Sequence, residues 1–481
     1  MNATPHLSAA GQRRMTGGLR RILYMPMEIA SRELDSRLLL AVLALARGYE
    51  VVLGQKWLIE RNVDAMPPGV YLSKSLTQRD ARTIMRVQEL GYLVAAIEEE
   101  VPGLVTTPSE LRWIAADAVR HADAIFIGGE TNTNSMKTRF PFAAARVHTT
   151  INPRWDLLRP AMRGIHRNEV DAIRQRFGRF LLINTNLGWT NSEKGPVDFM
   201  VQDQARQGKL DLSDPIDRHF IENYLAMEGD NHRAVVGIIQ QLLEKLPNVQ
   251  IILRPHPSER IDTWLNHFKG EPRLSVVREG PSIPWILASD ALIQTNCTTG
   301  VEAIALDHPA LCVMDTKSPA VGRYVANRVN PIAHSVDEAV TMLIDHLAGK
   351  PSLAFTPAMQ DAFVASMSYD PAHMGAEKVI DCLDALLMSH GAAGRPLSFA
   401  MSQWRPKWNY QWSLKDKNVR GTLFPDFDHD MVMERFNRIA KAVGVDVRPH
   451  IHSCGSKVAL LTQRQVSVRT RLHRFMRSRF G

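Results

Sequence analysis

Two neighbouring stretches, Asn248–Arg260 (NVQIILRPHPSER) and Trp285–Pro309 (WILASDALIQTNCTTGVEAIALDHP), decide how this chain folds. Val249 to Leu253 is a strand-like apolar run. It stops at Arg254-Pro255-His256-Pro257, because proline brings no N–H to a ladder. A second run, Ala291 to Ile293, stops at Gln294-Thr295-Asn296. It opens through Thr298-Thr299-Gly300 into a helix-compatible segment, Val301 to Leu306. In an open parallel sheet such polar strand ends face the ligand crevice. Helix starts carry unpaired amides that suit anions. The pair therefore points to an anionic ligand, such as the phosphate of a nucleotide sugar.

Working outward, the same alternation repeats. Leu19 to Tyr24 reads as a first strand, ending at Met25-Pro26-Met27-Glu28. Ser31 to Arg47 carries Leu34, Leu38, Val42 and Leu45 at helical spacing, with Ser31 as candidate N-cap, and Tyr49 to Gly54 is the next strand. Strands at 70–72, 92–97, 124–127 and 147–149 follow, separated by helices at 77–90 and 108–120. A second series starts at Phe180–Ile183. It includes a long helix from Asn223 to Leu246, a strand at Ala310–Met314, and helices at Val336–Leu347 and Gly375–Leu387. Residues 190–218, polar and aperiodic, read as a loop or lid. The expectation is an α/β protein of two Rossmann-like lobes facing a cleft. Its parts are a disordered leader (1–18), a first lobe (19–165), a second lobe (166–394) and a basic, Trp-rich extension (395–481).

Composition narrows the class. Of 481 residues, 45% are hydrophobic and 22% charged, ordinary for a globular protein. The four cysteines form no CxxC pair, which argues against a disulfide scaffold or a zinc site. No metal and no bound cofactor are expected. The leader MNATPHLSAAGQRRMTGG lacks an apolar core, so the reading is cytoplasmic. The net charge of +8 belongs to the tail: from Arg395 onward there are 17 Lys/Arg against 6 Asp/Glu, leaving the first 394 residues at −3. No nucleic-acid partner is implied. In the tail, Val468, Leu472, Phe475 and Met476 share a helical face ringed by arginines, a pattern suited to contact with an anionic inner-membrane surface.

Candidate site residues cluster at strand ends. His256, between prolines and beside Arg254 and Ser258, suits donation to a phosphate. Thr295, Asn296, Thr298, Thr299 and Gly300 supply hydroxyl and backbone donors, and Glu302 suits a sugar diol. Asn184, Asn186 and Gly188 form a polar turn after the Phe180 strand. Glu99 and Glu130, at strand ends of the first lobe, are candidate bases for deprotonating an acceptor hydroxyl. Arg154 and Asp156 read as an interlobe ion pair.

The segments RELDSRLLLAVLALARGYEVVLG, NPRWDLLRP (152–160), LLINTNLG (181–188), RPHPSE (254–259) and TNCTTGVEAIAL (295–306) together resemble bacterial surface-carbohydrate biosynthesis proteins of capsule and lipopolysaccharide loci. These are GT-B-like and distantly similar to capsule β-Kdo transferases. The resemblance spans about residues 20 to 390. It implies that His256-Pro257 and Thr299-Gly300-x-Glu302-Ala303 hold the nucleotide part of a donor. Those transferases carry aspartates in the turn that reads Asn184 to Trp189 here, and this turn has none. The implied activity is glycosyl transfer from a CMP-, CDP- or UDP-linked sugar to a glycan or lipid-linked glycan. A sugar-nucleotide epimerase and a non-catalytic assembly protein are the alternatives.

Overall fold

The computed structural model describes residues 19–99, 103–206, 210–391, 424–454 and 456–463. Strands β1 (Ile22–Met27), β2 (Glu50–Gln55), β3 (Val70–Ser73), β4 (Leu93–Ile97), β5 (Ala124–Ile127) and β6 (Val147–Thr149) lie parallel in the order β2-β1-β3-β4-β5-β6. A second parallel sheet joins β7 (Phe180–Asn184), β8 (Gln250–Arg254), β9 (Leu274–Val276), β10 (Ala291–Gln294), β11 (Ala310–Val313) and β12 (Ile332–Ala333). Its order is β12-β11-β10-β7-β8-β9. Each sheet is covered on both faces by helices. Its strands are therefore continuous apolar runs rather than alternating ones. The order in which the strands are laid down reverses between β1 and β3 in one sheet and between β7 and β10 in the other, and strand ends at such switch points frame ligand crevices. This is the expected α/β, two-lobed, GT-B-like architecture.

The lobes are tied where the chain crosses between them. After β6 the chain passes through Thr150–Asp156, and it returns to the first lobe at Gly375. Asp156, fully buried, accepts the amides of Gly375 (3.1 Å) and Ala376 (2.8 Å) and the Nε of Arg159 (3.0 Å). Arg159 also donates to the carbonyls of Pro371 (3.2 Å) and His373 (2.8 Å). The two crossings touch so closely that a Cβ on Gly375 would lie 2.1 Å from the Ile151 carbonyl oxygen. Asp156 therefore starts a helix and does not pair with Arg154 as expected.

Several boundaries differ from the sequence reading. The helix Gly375–Ser389 packs through Ala376, Val379, Ile380, Leu383 and Leu387 on the first lobe's core, not the second's. Its amphipathic pattern says which face is buried but not against which lobe. The 395–481 extension is not one separate unit either. Helix His429–Val443 packs on helix Ala30–Ala46, and a hairpin, β13 (His450–Ser453) and β14 (Val458–Thr462), adds to β2 in antiparallel fashion. Gly54 permits that approach, since a Cβ there would meet the Lys457 carbonyl oxygen at 2.5 Å. The expected leader, the tail tryptophans and the Val468–Met476 face lie outside the described residues.

Residues 190–218 are not all loop: a helix spans Val197–Arg206, and the long helix runs Pro215–Lys245, opened by the Asp214 carboxylate on the Ile216 amide (2.9 Å). Pro108–Arg120 is a 3-10 segment followed by a short helix, Ala116–His121. Ser31 is not the cap of its helix. Glu33 reaches back to the amides of Glu28 (3.2 Å) and Ile29 (3.1 Å), so the helix starts at Ala30. β1 continues through Pro26, beyond the last β1–β3 pair at Tyr24–Tyr71.

Replacing Asp156 by alanine would leave two buried amides and a guanidinium without their acceptor. The expected loss is about 3 kcal/mol by urea unfolding. Arg47→Ala, which removes a half-exposed pair, should cost under about 1 kcal/mol in the same assay.

Candidate functional site

Three adjacent strand ends, β8, β7 and β10, build one rim, and a buried carboxylate joins the first two. Glu259 is fully buried and accepts from the hydroxyl of Thr185 (2.8 Å), the amides of Leu187 (3.0 Å) and His256 (3.0 Å), and the indole N–H of Trp264 (3.2 Å). Asn186 extends the rim, donating to the Asn296 carbonyl oxygen (3.2 Å). Gly188 lies against Ser258, where a Cβ would stand 3.0 Å from the hydroxyl.

On this rim the His256 ring is fixed by Ser258. The Ser258 amide donates to Nδ1 (3.2 Å), with the hydroxyl 2.7 Å away. That selects the tautomer with hydrogen on Nε2. The ring is open to solvent on one side but crowded by the protein on the other. This crowding lowers its pKa; Glu259 opposes the shift, and Arg32 and Arg278 add to it. A neutral imidazole with a free Nε2–H results.

The helix after β10 spans Thr298–Ala305 and starts earlier than expected, so Thr298, Thr299 and Gly300 form its first turn. The amides of Thr298 and Thr299 have no intrahelical acceptor. Around them sit buried side-chain atoms without partners: Asn184 Oδ1, Thr295 Oγ1, Asn296 Nδ2 and Thr299 Oγ1. Native proteins leave few such atoms, and each costs about 1–3 kcal/mol unless a ligand satisfies it. Asn296 is itself held at φ 52, its Oδ1 accepting from Asn327.

Glu302, one turn into this helix, is already engaged. Its carboxylate accepts from Arg154 (2.9 Å), which belongs to the interlobe crossing, and from the Ser282 hydroxyl (2.6 Å). Burial lowers the Arg154 pKa, against the pull of Glu302. Arg254 does not face His256 as a free cation. It lies over the Trp285 ring and donates to the carbonyls of Gly280 (2.9 Å) and Pro281 (3.3 Å), and burial pushes its pKa down to about 10.

The first lobe closes over this rim. A Cβ on Gly103 would come within 2.7 Å of Thr298, and Leu104 bridges to Tyr324. Glu99, paired with Arg37 (2.9 Å), is among the charges acting on Arg154, so it belongs to the cleft. Glu130 lies apart. It is exposed in the first turn of helix Glu130–Arg139, whose start packs on Ser366 and Ser368. Among the described residues no contact joins Glu130 to the rim.

Sequence reading missed Glu259, although it stands inside the RPHPSE motif, three residues after His256. It also missed Glu228, which no motif marks. Fully buried on the Pro215–Lys245 helix, Glu228 accepts the amides of Trp189 (3.1 Å) and Thr190 (2.7 Å) and the Thr190 hydroxyl (2.8 Å). It thereby holds down the loop that carries Gly188. Burial pushes its pKa up to about 7, against those hydrogen bonds.

Comparison with family models and with curated protein sequences finds no match. Solved structures with a similar overall path include the UDP-GlcNAc 2-epimerase of Methanocaldococcus jannaschii in complex with UDP-GlcNAc and UDP. It is 12% identical, with 76% of this chain and 99% of that one covered and a TM-score of 0.46. A putative UDP-N-acetylglucosamine 2-epimerase from Listeria monocytogenes is 11% identical, with 79% and 98% covered and a TM-score of 0.47. The wall teichoic acid polymerase TagF is 13% identical, with 76% and 88% covered and a TM-score of 0.45. The fold assignment rests on the two sheet orders given above. Among the described residues no three His, Cys, Asp or Glu side chains gather as metal ligands, and no helix is long and apolar enough to cross a membrane.

Glu259→Ala should cost about 3 kcal/mol or more by denaturant unfolding, because it strands several buried donors. Glu228 gives a pH signature. In the unfolded chain its carboxyl releases its proton near the ordinary value of 4.5, in the folded chain near 7. Its contribution to stability is full below the lower value and is lost as pH rises through the upper one. Between pH 5 and 8 the wild-type melting temperature should therefore fall relative to Glu228→Gln.

Proposed function

We propose that this chain is a glycosyltransferase of GT-B architecture that takes a sugar from a nucleotide-linked donor and adds it to a bacterial surface glycan. One observation carries the reading: the His256 turn and the Thr298–Gly300 helix start belong to a single rim, bound together by Glu259 and Asn186 and roofed by the first lobe. A phosphate seated on the amides of Thr298 and Thr299 meets the Thr299 hydroxyl, which is otherwise within reach only of the Cys297 thiol. His256 Nε2–H stands ready to donate to the same anion. These donors stabilise the negative charge that develops on the departing phosphate, and they are fixed before the reaction starts. Glu302, Asn184, Thr295 and Asn296 complete the donor side.

Glu99 is the base this geometry favours for the acceptor hydroxyl, since it shares the cleft with Arg154 and Glu302, whereas Glu130 stands outside it. Ribose binding at Glu302 requires Arg154 to give up one carboxylate oxygen. Donor entry is thus coupled to the interlobe crossing. The acceptor is a glycan or lipid-linked glycan, and the basic tail is its proposed route to the inner membrane surface.

A thermal-shift series with CMP, CDP, UDP and GDP should find at least one stabilising nucleotide. His256→Ala should reduce that shift by more than half while leaving the unliganded melting temperature within a few degrees. An unchanged shift would remove His256 from the site. Incubating the stabilising nucleotide's sugar without an acceptor should return the same sugar configuration. Appearance of an epimer would replace the transferase reading with the epimerase one.

A further inference from the structure

Helix His429–Val443 does more than pack on the first lobe. Its apolar face, Val432, Phe436, Ile439 and Ala440, is sunk in that lobe's core. Its polar face carries Arg435 and Arg438, and both reach the place where the chain passes from one lobe to the other. That passage is short: Ile165 belongs to the first lobe's core and Val170 to the second's. Between them stand His166 and Glu169, the latter in the first turn of helix Arg167–Phe177.

Arg435 grips Asp35 of helix Ala30–Ala46 with one nitrogen (3.0 and 3.1 Å) and reaches Glu169 with another (3.5 Å). Arg438 donates to both Glu169 oxygens (3.3 and 3.4 Å) and to the Ile165 carbonyl oxygen. Glu169 thus ties the second lobe's first helix to a helix whose other face is anchored in the first lobe. All four side chains are largely withdrawn from solvent, so salt screens them less than it does a surface pair.

His166 lies against this hub, 3% exposed, and its Nε2 has no hydrogen-bond partner. A cavity of about 10 Å³, room for one water, is lined by the imidazole, Asp35, Glu169, Arg435 and Arg438. Two carboxylates balance two guanidinium groups there, with Glu434 flanking Arg438 (3.8 Å) on the outer side. A charged imidazole would leave one positive charge in excess, in a space too small for a hydrated counter-ion. We propose that helix His429–Val443 is a clasp across the interlobe hinge, limiting how far the cleft opens, and that His166 is its proton-operated lock: a charged ring weakens the hold on Glu169 and lets the lobes part. Burial keeps the ring below its ordinary pKa of 6.5, Asp35 and Glu169 oppose that shift, and the two arginines add to it. The neutral ring therefore supports the clasp in full above pH 6.5, and the support is lost as pH falls below that value. The device is independent of which ligand the rim takes.

The test is hydrogen–deuterium exchange of the full chain, read at a second interlobe contact that shares no residue with the clasp. There the Val105 amide donates to the Arg323 carbonyl oxygen and the Val325 amide to that of Gly103, each at 2.9 Å. At pH 7.5 Glu169→Ala and Arg438→Ala should each speed exchange of peptides carrying Val105 and Val325 by about fivefold or more, while amides inside β1 and β10 stay within about twofold. Arg438→Lys, which keeps the charge, should recover part of the protection. Unchanged exchange at Val105 and Val325 would overturn the clasp. So would a rise spread evenly over both sheets, which marks a pair that only adds stability. In wild type, protection at the same two amides should fall as pH is lowered from 7.5 to 5.5, and His166→Gln should flatten that fall. The comparison uses the change with pH, so an offset of the variant at pH 7.5 does not enter it. An equal fall in wild type and His166→Gln would remove His166 as the lock.

Discussion

The candidate site depends on one buried negative charge. Glu259 lies beneath the rim with no exposure to solvent, and a carboxylate can be kept there only if donors surround it. The donors come from two different strand ends: Thr185 and Leu187 after β7, and the His256 amide after β8. Satisfying the charge fixes the relative position of those ends. The imidazole, held in turn by Ser258, is therefore oriented by electrostatics acting two steps away from it. Glu228 acts similarly on the next loop, holding Trp189 and Thr190. Two acids that need not touch a ligand thus set the shape of the candidate site.

The rim is rigid, whereas the first lobe's contribution rests on exchangeable pairs. Arg154 to Glu302 is a salt bridge between the crossing segment and the second lobe, and both partners are largely withdrawn from solvent. Such a pair is costly to break by deleting one member but easily exchanged for a ligand that offers equivalent hydroxyls. Arg112 and Asp217 (2.7 Å) add a second interlobe pair at the far end of the long helix. The lobes are therefore joined by covalent crossings zipped at Asp156, by ionic contacts, by the Leu104–Tyr324 backbone bridge and by apolar contacts of the crossing, where Ile151, Trp155 and Leu158 share a cluster with Val105.

Much of the fold was legible because alternation of apolar runs with amphipathic helices leaves few options. β5, β6 and the Val336–Leu347 helix lie where periodicity placed them. The two motifs converge because both follow strands of one parallel sheet. What the sequence hid was partnership. Nothing in Gly375–Ser389 says that its apolar face meets Leu38 and its neighbours rather than the second lobe. Nothing in VALLT at 458–462 says that it seeks β2. Arg154 was visible as a charge near a domain boundary, but its partner is 148 positions away. Glu228 sits in a helix with ordinary spacing, and only three-dimensional burial sets it apart from other helical glutamates.

The hairpin on β2 has a consequence for how the chain is made. Arg435 bonds to Asp35 across 400 positions, and Gln463 reaches the Leu45 carbonyl across 418. Synthesis proceeds from the amino end, so the second lobe has all its strands before the first has its outermost two. Until then β2 presents an open apolar edge to the surrounding solution, the kind of surface on which nascent chains stick to one another. Ribosome-bound chains stopped short of residue 424 would carry that edge throughout their lifetime.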